Sequence, residues 1–190
     1  MRPVDDKLVK IQDEIRASFG WQIEDDITSA RNLAEFCKNP QPKIEFKGNV
    51  EVIGANAPEN YIPTEQCIVA DGAIGAVSDF GLVKLLVSDG DGFPFIEKAI
   101  NEKIPICLHA HGDNQNEWRR VLELTGKEYP LLLTHQTTEN IANMSNPGGF
   151  TDGDRAVCIA FALGADSVSL VGFSTSEVGP WSGITDTKRK

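Results

Sequence analysis

From residue 49 onward, short apolar, β-branched runs alternate with helical patterns. This alternation constrains the fold more than any other feature of the chain. The runs lie at 50–53, 67–70, 82–87, 104–108, 131–134 and 168–171, and helical spacing appears between several of them at 93–102, 115–124 and 152–163. Strands that alternate with helices assemble into a parallel sheet covered by those helices. The runs carry few polar residues, which fits strands buried on both faces. The pattern therefore predicts an α/β fold with a doubly wound, mostly parallel sheet over residues 49–190. Residues 1–48 read as an N-terminal helical segment. Val4, Leu8, Val9, Ile11, Ile15 and Phe19 recur at helical spacing and stop at Gly20, and Ile27, Ala30, Leu33, Ala34 and Cys37 recur between a cap at Asp25 or Asp26 and the breaker Pro40.

Five of the six apolar runs end in a polar cluster: GANAPEN after Ile53, ADGA after Val69, SDGDG after Val87, HAHGDN after Leu108 and THQTT after Leu133. In an open parallel sheet, ligands bind outside the carboxyl ends of the strands. One rim thus collects Asp71, Asp89, Asp91, Asp113, His109, His111 and His135, including all three histidines of the chain. Asp, Asn and Gly are also ordinary residues of strand-to-helix loops, where they turn the backbone and cap helices. Caps alone, however, require neither a DxD nor an HxH.

The Asp89-Gly90-Asp91 spacing lets two carboxylates approach one hard cation, and the glycines let the backbone turn tightly. HAHGDN admits two readings. His109, His111 and Asp113 are donors of the kind that bind a transition metal, and the same histidines can orient a substrate beside Mg²⁺ held by carboxylates. In PGGFTDGDRA, Thr151 or Asp152 can cap a helix whose first turn carries Arg155. Free helix-start amides with an arginine suit a phosphate, whereas Asp152 and Asp154 repel a bare one unless a cation intervenes. No P-loop, dinucleotide-binding glycine pattern or nucleophile elbow is present in the sequence.

The formal net charge of −10 argues against non-specific nucleic-acid binding but is compatible with polyphosphates bridged by cations. The sequence has no apolar run of membrane-spanning length, and its charged first residues lack a signal-peptide core, so a cytoplasmic location with no membrane partner is the expectation. Cys37, Cys67, Cys107 and Cys158 form no CxxC pair and are expected buried and reduced.

ADGA, the DxDG-type turn, HAHGDN, GGFTDGDRA and the Val-Gly-Phe strand end together resemble the archaeal 6-hydroxymethyl-7,8-dihydropterin diphosphokinase family, itself similar in its core to thiamin diphosphokinases. The resemblance spans nearly the whole chain, and HAHGDN and GGFTDGDRA are its most specific parts. It implies transfer of a diphosphate from ATP to a hydroxymethyl-dihydropterin with release of AMP, in folate or methanopterin synthesis, with Mg²⁺ as the metal and small molecules as partners. It implies Asp71, Asp89, Asp91 and Asp113 as metal ligands and Asp89, Asp91, His109, His111 and Arg155 as catalytic residues. Gly54, Asn56, Asp71, Gly72, Gly149, Thr151 and Arg155 would hold ATP. Asn114, Asp152 and Asp154 would read the pterin, and Lys188 and Arg189 are weaker phosphate candidates. A homodimer stays open. Two positions depart from the family pattern: glycine stands at 90 in place of a bulky residue, and Phe93 in place of an acid. The family pattern would also continue beyond TKRK with a further helix. Two other functions fit the same residues. One is a DxD-type, metal-dependent glycosyltransferase, and the other is a non-catalytic nucleotide-binding protein of the same fold.

Overall fold

The structure, a computed structural model, describes residues 1–183. Lys188 and Arg189 lie outside the described residues. In chain order the elements are α1 (Lys7–Phe19), α2 (Ile23–Phe36), β1 (Asn49–Ile53), β2 (Cys67–Ala70), β3 (Val83–Ser88), α3 (Ile96–Asn101), β4 (Ile106–Ala110), α4 (Gln115–Thr125), β5 (Leu131–His135), α5 (Asp152–Ala162) and β6 (Ser167–Val171). The six strands form one all-parallel sheet in the order β5-β4-β3-β2-β1-β6. The chain walks outward from β1 to β5 and then returns across the sheet through α5 to place β6 on the far side of β1. The expected α/β architecture is thus present.

Alternation along each strand sorts the core onto two faces. Cys67, Val69, Leu86, Ile106, Leu108, Leu131 and Leu133 face a cluster that includes Ala30 and Leu33 of α2, Ile96 and Ala99 of α3, and Trp118 and Val121 of α4. Val50, Val52, Ile68, Leu85, Val87 and Cys107 face Ala156, Ile159 and Ala160 of α5. The four cysteines are buried and unpaired, as small apolar residues in these runs should be. No helix among the described residues is long and apolar enough to cross a membrane.

Three local expectations are corrected. The run at 168–171 becomes an edge strand that is largely exposed, with Leu170 open to solvent, because β1 is its one neighbour in the sheet. The helix expected over 93–102 is regular only over α3, since Gly92 O accepts the amides of Phe95 and Ile96 in a preceding turn. Neither Asp25 nor Asp26 caps α2: the helix begins at Ile23, and both acids lie in its first turn, where the helix dipole favours them. Asp26 is drawn inward by stronger donors. It accepts Arg16 Nε at 2.8 Å, Gln136 Nε2 at 3.0 Å and the Gly112 amide at 2.7 Å.

That carboxylate joins the helical hairpin α1–α2 to the strand-end rim. Arg16 also donates to the Gln136 carbonyl, and Gln12 donates to Gly149 O at 2.6 Å. Arg16 and Asp26 are both almost fully buried, and without Asp26 the guanidinium would keep only the half-exposed Asp13, 2.6 Å from its Nη1, as a counter-charge. Asp26→Ala is expected to lower stability by about 3 kcal/mol, read as a shift in the urea midpoint. A change below the scatter of surface substitutions would show that the hairpin is held by other contacts.

Candidate active site

The predicted rim assembles where the strands end. Asp71 follows β2, Asp89 follows β3, and Asp152 opens α5. One carboxylate oxygen from each lies within 4.8 Å of the others. Asp71 is brought there by a short 3₁₀ turn over Asp71–Ala76 and has a positive φ of 45°, so its own backbone carries strain at this point. Ser88 Oγ donates to Asp71 Oδ1 at 2.6 Å and accepts the Gly90 amide at 2.9 Å, which ties the β2 end to the β3 end. Gly92 packs directly on the Asp71 carboxylate; a Cβ there would come within 2.3 Å of it.

Each of the other two carboxylates has a cation behind it. His111 Nε2 lies 3.1 Å from Asp89 Oδ2, and Arg155 Nη1 donates to Asp152 Oδ1 at 2.9 Å. Arg155 is fully buried, and its second arm binds the Phe150 carbonyl at 2.7 Å. Two of its three nitrogens are therefore engaged within the chain, while Nε has no partner among the described residues.

The electrostatics follow from crowding. Burial, then the Asp89 charge, raises the Asp71 pKa to about 6. Burial and the charges of Asp89 and Asp71 raise Asp91 to about 8. Burial, then Asp89, also raises Asp152 well above the ordinary range. Asp89 goes the other way: burial pushes it up, but the hydrogen bond and charge of His111 outweigh burial and lower it. His111 is the converse, since burial would lower it while hydrogen bonds to Asp113 and Asp89 win and raise it to about 9. His109 is buried and neutral. Its pKa is lowered by burial and then by Arg155. Nε2 faces Gln136 Oε1 at 3.4 Å and so carries the proton, while Nδ1 faces the Thr134 hydroxyl at 3.1 Å.

Several expected residues take other places. The Asp113 side chain is 96% exposed and pairs with His111 Nδ1 at 2.9 Å, on the side away from Asp89; Asp152, expected to read the pterin, completes the acidic trio instead. Asp91 stands beside the trio and is half-buried. Asn114 spends its side chain on the rim itself, donating to the carbonyls of Asp89 and His109 and accepting the His111 amide. Thr151 and Asp154 form a reciprocal cap: Thr151 Oγ1 accepts the Asp154 amide, and Asp154 accepts the Phe150 amide and the Thr151 hydroxyl. Gly149, at φ 81°, packs on the Arg155 backbone. Gly54 faces Phe173 and the Gly172 carbonyl, the Asn56 amide donates to that same carbonyl, and Gly72 faces the Trp181 carbonyl. The chain's own 172–181 segment therefore lies on those loops.

Both departures from the family pattern have packing reasons. Gly90 has φ 99°, and a Cβ there would meet the Glu117 backbone at 2.9 Å, so α4 sits too close for any side chain. The Phe93 ring packs against the core, with the Arg120 guanidinium 3.7 Å above it.

No family model matches the chain. Three curated archaeal proteins do, each named 6-hydroxymethyl-7,8-dihydropterin pyrophosphokinase. The protein from Pyrococcus furiosus is 40% identical over 117 residues, which is 60% of this chain and 48% of that protein. The one from Methanothermobacter thermautotrophicus is 39% identical over 115 residues, 58% of this chain and 47% of its own length. The one from Methanocaldococcus jannaschii is 31% identical over 150 residues, 77% of this chain and 60% of that protein. The chain is a relative of these archaeal pyrophosphokinases. It spans about half the length of the first two and 60% of the third. The family named by these relatives is the one that HAHGDN and GGFTDGDRA resemble.

Three carboxylates converging on one point are a hard-oxygen donor set of the kind Mg²⁺ takes, and their mutual repulsion favours a cation among them. The sign of the pH dependence follows. Asp71 and Asp91 hold protons in the folded state up to about 6 and about 8, above their ordinary 3.8, so the folded state binds more protons in that window and stability falls as pH rises through it. His111 adds to this fall, because its raised pKa gives stability that is lost toward about 9. Thermal melts in chelator should show a midpoint that declines from about pH 6.5, above which the buried neutral His109 and His135 no longer oppose the trend, to about pH 8, and added Mg²⁺ should restore more stability at the upper end. Equal Mg²⁺ stabilisation at both pH values would mean that the ion does not bind these carboxylates.

Proposed function

We propose that this protein transfers a diphosphate group from ATP to the hydroxymethyl oxygen of 6-hydroxymethyl-7,8-dihydropterin and releases AMP, as a Mg²⁺-dependent cytoplasmic enzyme of folate or methanopterin synthesis. The observation that carries this reading is the carboxylate trio of Asp71, Asp89 and Asp152 at the strand-end rim, in a chain similar to proteins that bear the pyrophosphokinase name. Small molecules are its partners on this reading, with no role for nucleic acid or membrane.

The bond formed joins the pterin oxygen to the β-phosphorus. The bond broken joins that phosphorus to the oxygen leaving on AMP, and the hydroxyl proton must go to a base. Such a transfer needs alignment and charge neutralisation more than a protein nucleophile. Mg²⁺, when bound, supplies that neutralisation on the polyphosphate. Asp71, Asp89 and Asp152 would hold it, and the chain keeps each of them aimed: Ser88 orients Asp71, His111 orients Asp89 and Arg155 orients Asp152. Arg155 acts on this reading as a positioning residue, since its buried guanidinium already binds Asp152 and Phe150 O.

We assign the hydroxyl proton to Asp91. Both nitrogens of His109 are taken by Thr134 and Gln136, and His111 is held protonated between Asp89 and Asp113, so neither is free to accept it. Asp91 is the carboxylate beside the trio; the charges of Asp89 and Asp71 help to raise its pKa to about 8, and a cation held by the trio would offset them and leave Asp91 ionised to accept the proton.

The test is an AMP-release assay with ATP, Mg²⁺ and 6-hydroxymethyl-7,8-dihydropterin, run beside reactions lacking the pterin or the metal. AMP and pterin diphosphate should form only in the complete mixture. Asp89→Ala should lower kcat by about 10³-fold together with Mg²⁺ binding. Asp91→Asn should lower kcat by about 10²-fold while Mg²⁺ binding persists. Binding of Mg-ATP without AMP formation across hydroxymethyl acceptors would overturn the reading in favour of a nucleotide-binding protein. Turnover of a sugar nucleotide in place of ATP would favour a glycosyltransferase.

A further inference from the structure

Helix α1 is built inside out. Its most buried residues are Gln12, 1% exposed, and Arg16, 4% exposed, whereas Val4 just before it, Ile11 within it and Phe19 at its end are 57%, 47% and 62% exposed. The polar side is committed to the rim through Arg16–Asp26 and Gln12–Gly149. The apolar side faces outward: Leu8 and Ile15 are half-buried, with Leu8 against Gly148, while Val4, Ile11 and Phe19 are open to solvent.

That outward side has a definite pattern. Val4, Leu8, Ile11 and Ile15 follow one another at intervals of four, three and four residues, which is the spacing of a helix-pairing seam. Beside it runs a groove of about 170 Å³ lined by Leu8, Ile11, Ile15, Phe150 and Cys158, among others. The apolar surface continues past the helix end. Phe19 stacks on Trp21 at 4.7 Å between ring centroids, and Trp21, itself 54% exposed, stacks on Phe150 at 6.0 Å. A continuous exposed apolar surface of this kind marks an interaction site.

The charges beside the seam identify the occupant. Lys7 and Glu14 are exposed, lie seven residues apart along the same flank, and make no ion pair among the described residues. Two copies of α1 packed antiparallel about a two-fold axis set Leu8 of one copy against Ile11 of the other. The same arrangement brings Lys7 of each copy to Glu14 of its mate. A parallel pair would instead put Lys7 and Glu14 of one copy across the seam from Lys7 and Glu14 of the other, on opposite flanks, so that neither charge meets its opposite. A two-fold interface uses the same patch on both copies and so must be self-complementary, as this one is.

We propose that the outer face of α1, extended by Trp21 and Phe150, is a self-association surface that pairs antiparallel with a second copy of this chain. Sedimentation velocity over a dilution series tests it. The wild-type chain should sediment as a species of twice the 20.7 kDa of one chain and dissociate on dilution. Ile11→Asp should sediment as a single chain with unchanged circular dichroism and melting midpoint, because Ile11 is already half exposed. Lys7→Glu should weaken association by roughly tenfold, and Lys7→Glu combined with Glu14→Lys should restore it. A wild-type chain that stays single at every concentration overturns the proposal and leaves the face to a different protein. A dimer that survives Ile11→Asp places the interface elsewhere. Failure of the double charge swap to restore association overturns the antiparallel arrangement. None of these side chains belongs to the carboxylate trio, so an inactive protein that dimerises as described, or an active one that does not, separates this proposal from that of diphosphate transfer.

Discussion

Like-charge repulsion among carboxylates at the ends of parallel strands is the constraint around which the rest of the molecule is arranged. Asp71, Asp89, Asp91 and Asp152 raise or oppose one another's ionisation, yet the fold draws them together and surrounds them with compensating groups. A serine hydroxyl, an imidazolium and a buried guanidinium each hold one of the trio. The cost of gathering these charges is spread over three elements rather than met at one. That is how a site can be unfavourable locally within a stable domain, as binding sites for cations often are.

The helical hairpin belongs to the same construction. Asp26 accepts hydrogen bonds from α1, from the HAHGDN loop and from the segment after β5, so one carboxylate joins three pieces of the rim. Gln136 extends the chain of contacts to His109. Beneath this polar joint, Ala30 and Leu33 of α2 enter the same apolar cluster as strands β2 to β5. The hairpin is therefore wall and brace to the strand ends.

Much of this was legible in the residues. Strand positions came from β-branched runs, and the rim came from the rule that parallel strands end in ligand-facing loops. What escaped was side-chain pairing across long sequence separations. Asp113 and Asp152 sit in equally acidic loops. Only the return of α5 across the sheet decides that Asp152 reaches the trio while Asp113 turns outward to His111. Of the two caps offered for α5, Thr151 is the one that forms, with Asp154 returning the bond. Asp26 was assigned to a local cap because Arg16 and Gly112 are neighbours in space alone. The glycine at 90 departs from the pattern the sequence resembles, and it answers to the backbone of α4 lying against it.

The buried polar face of α1 has a thermodynamic corollary. Melting the sheet core exposes hydrocarbon and raises the heat capacity, whereas lifting a helix seated on Gln12 and Arg16 hydrates mainly amide and charge, which changes heat capacity little or lowers it. The two openings therefore respond differently to cooling. The polar joint keeps its strength where apolar burial weakens. A helix seated in this way answers to hydration, on a body that answers to temperature.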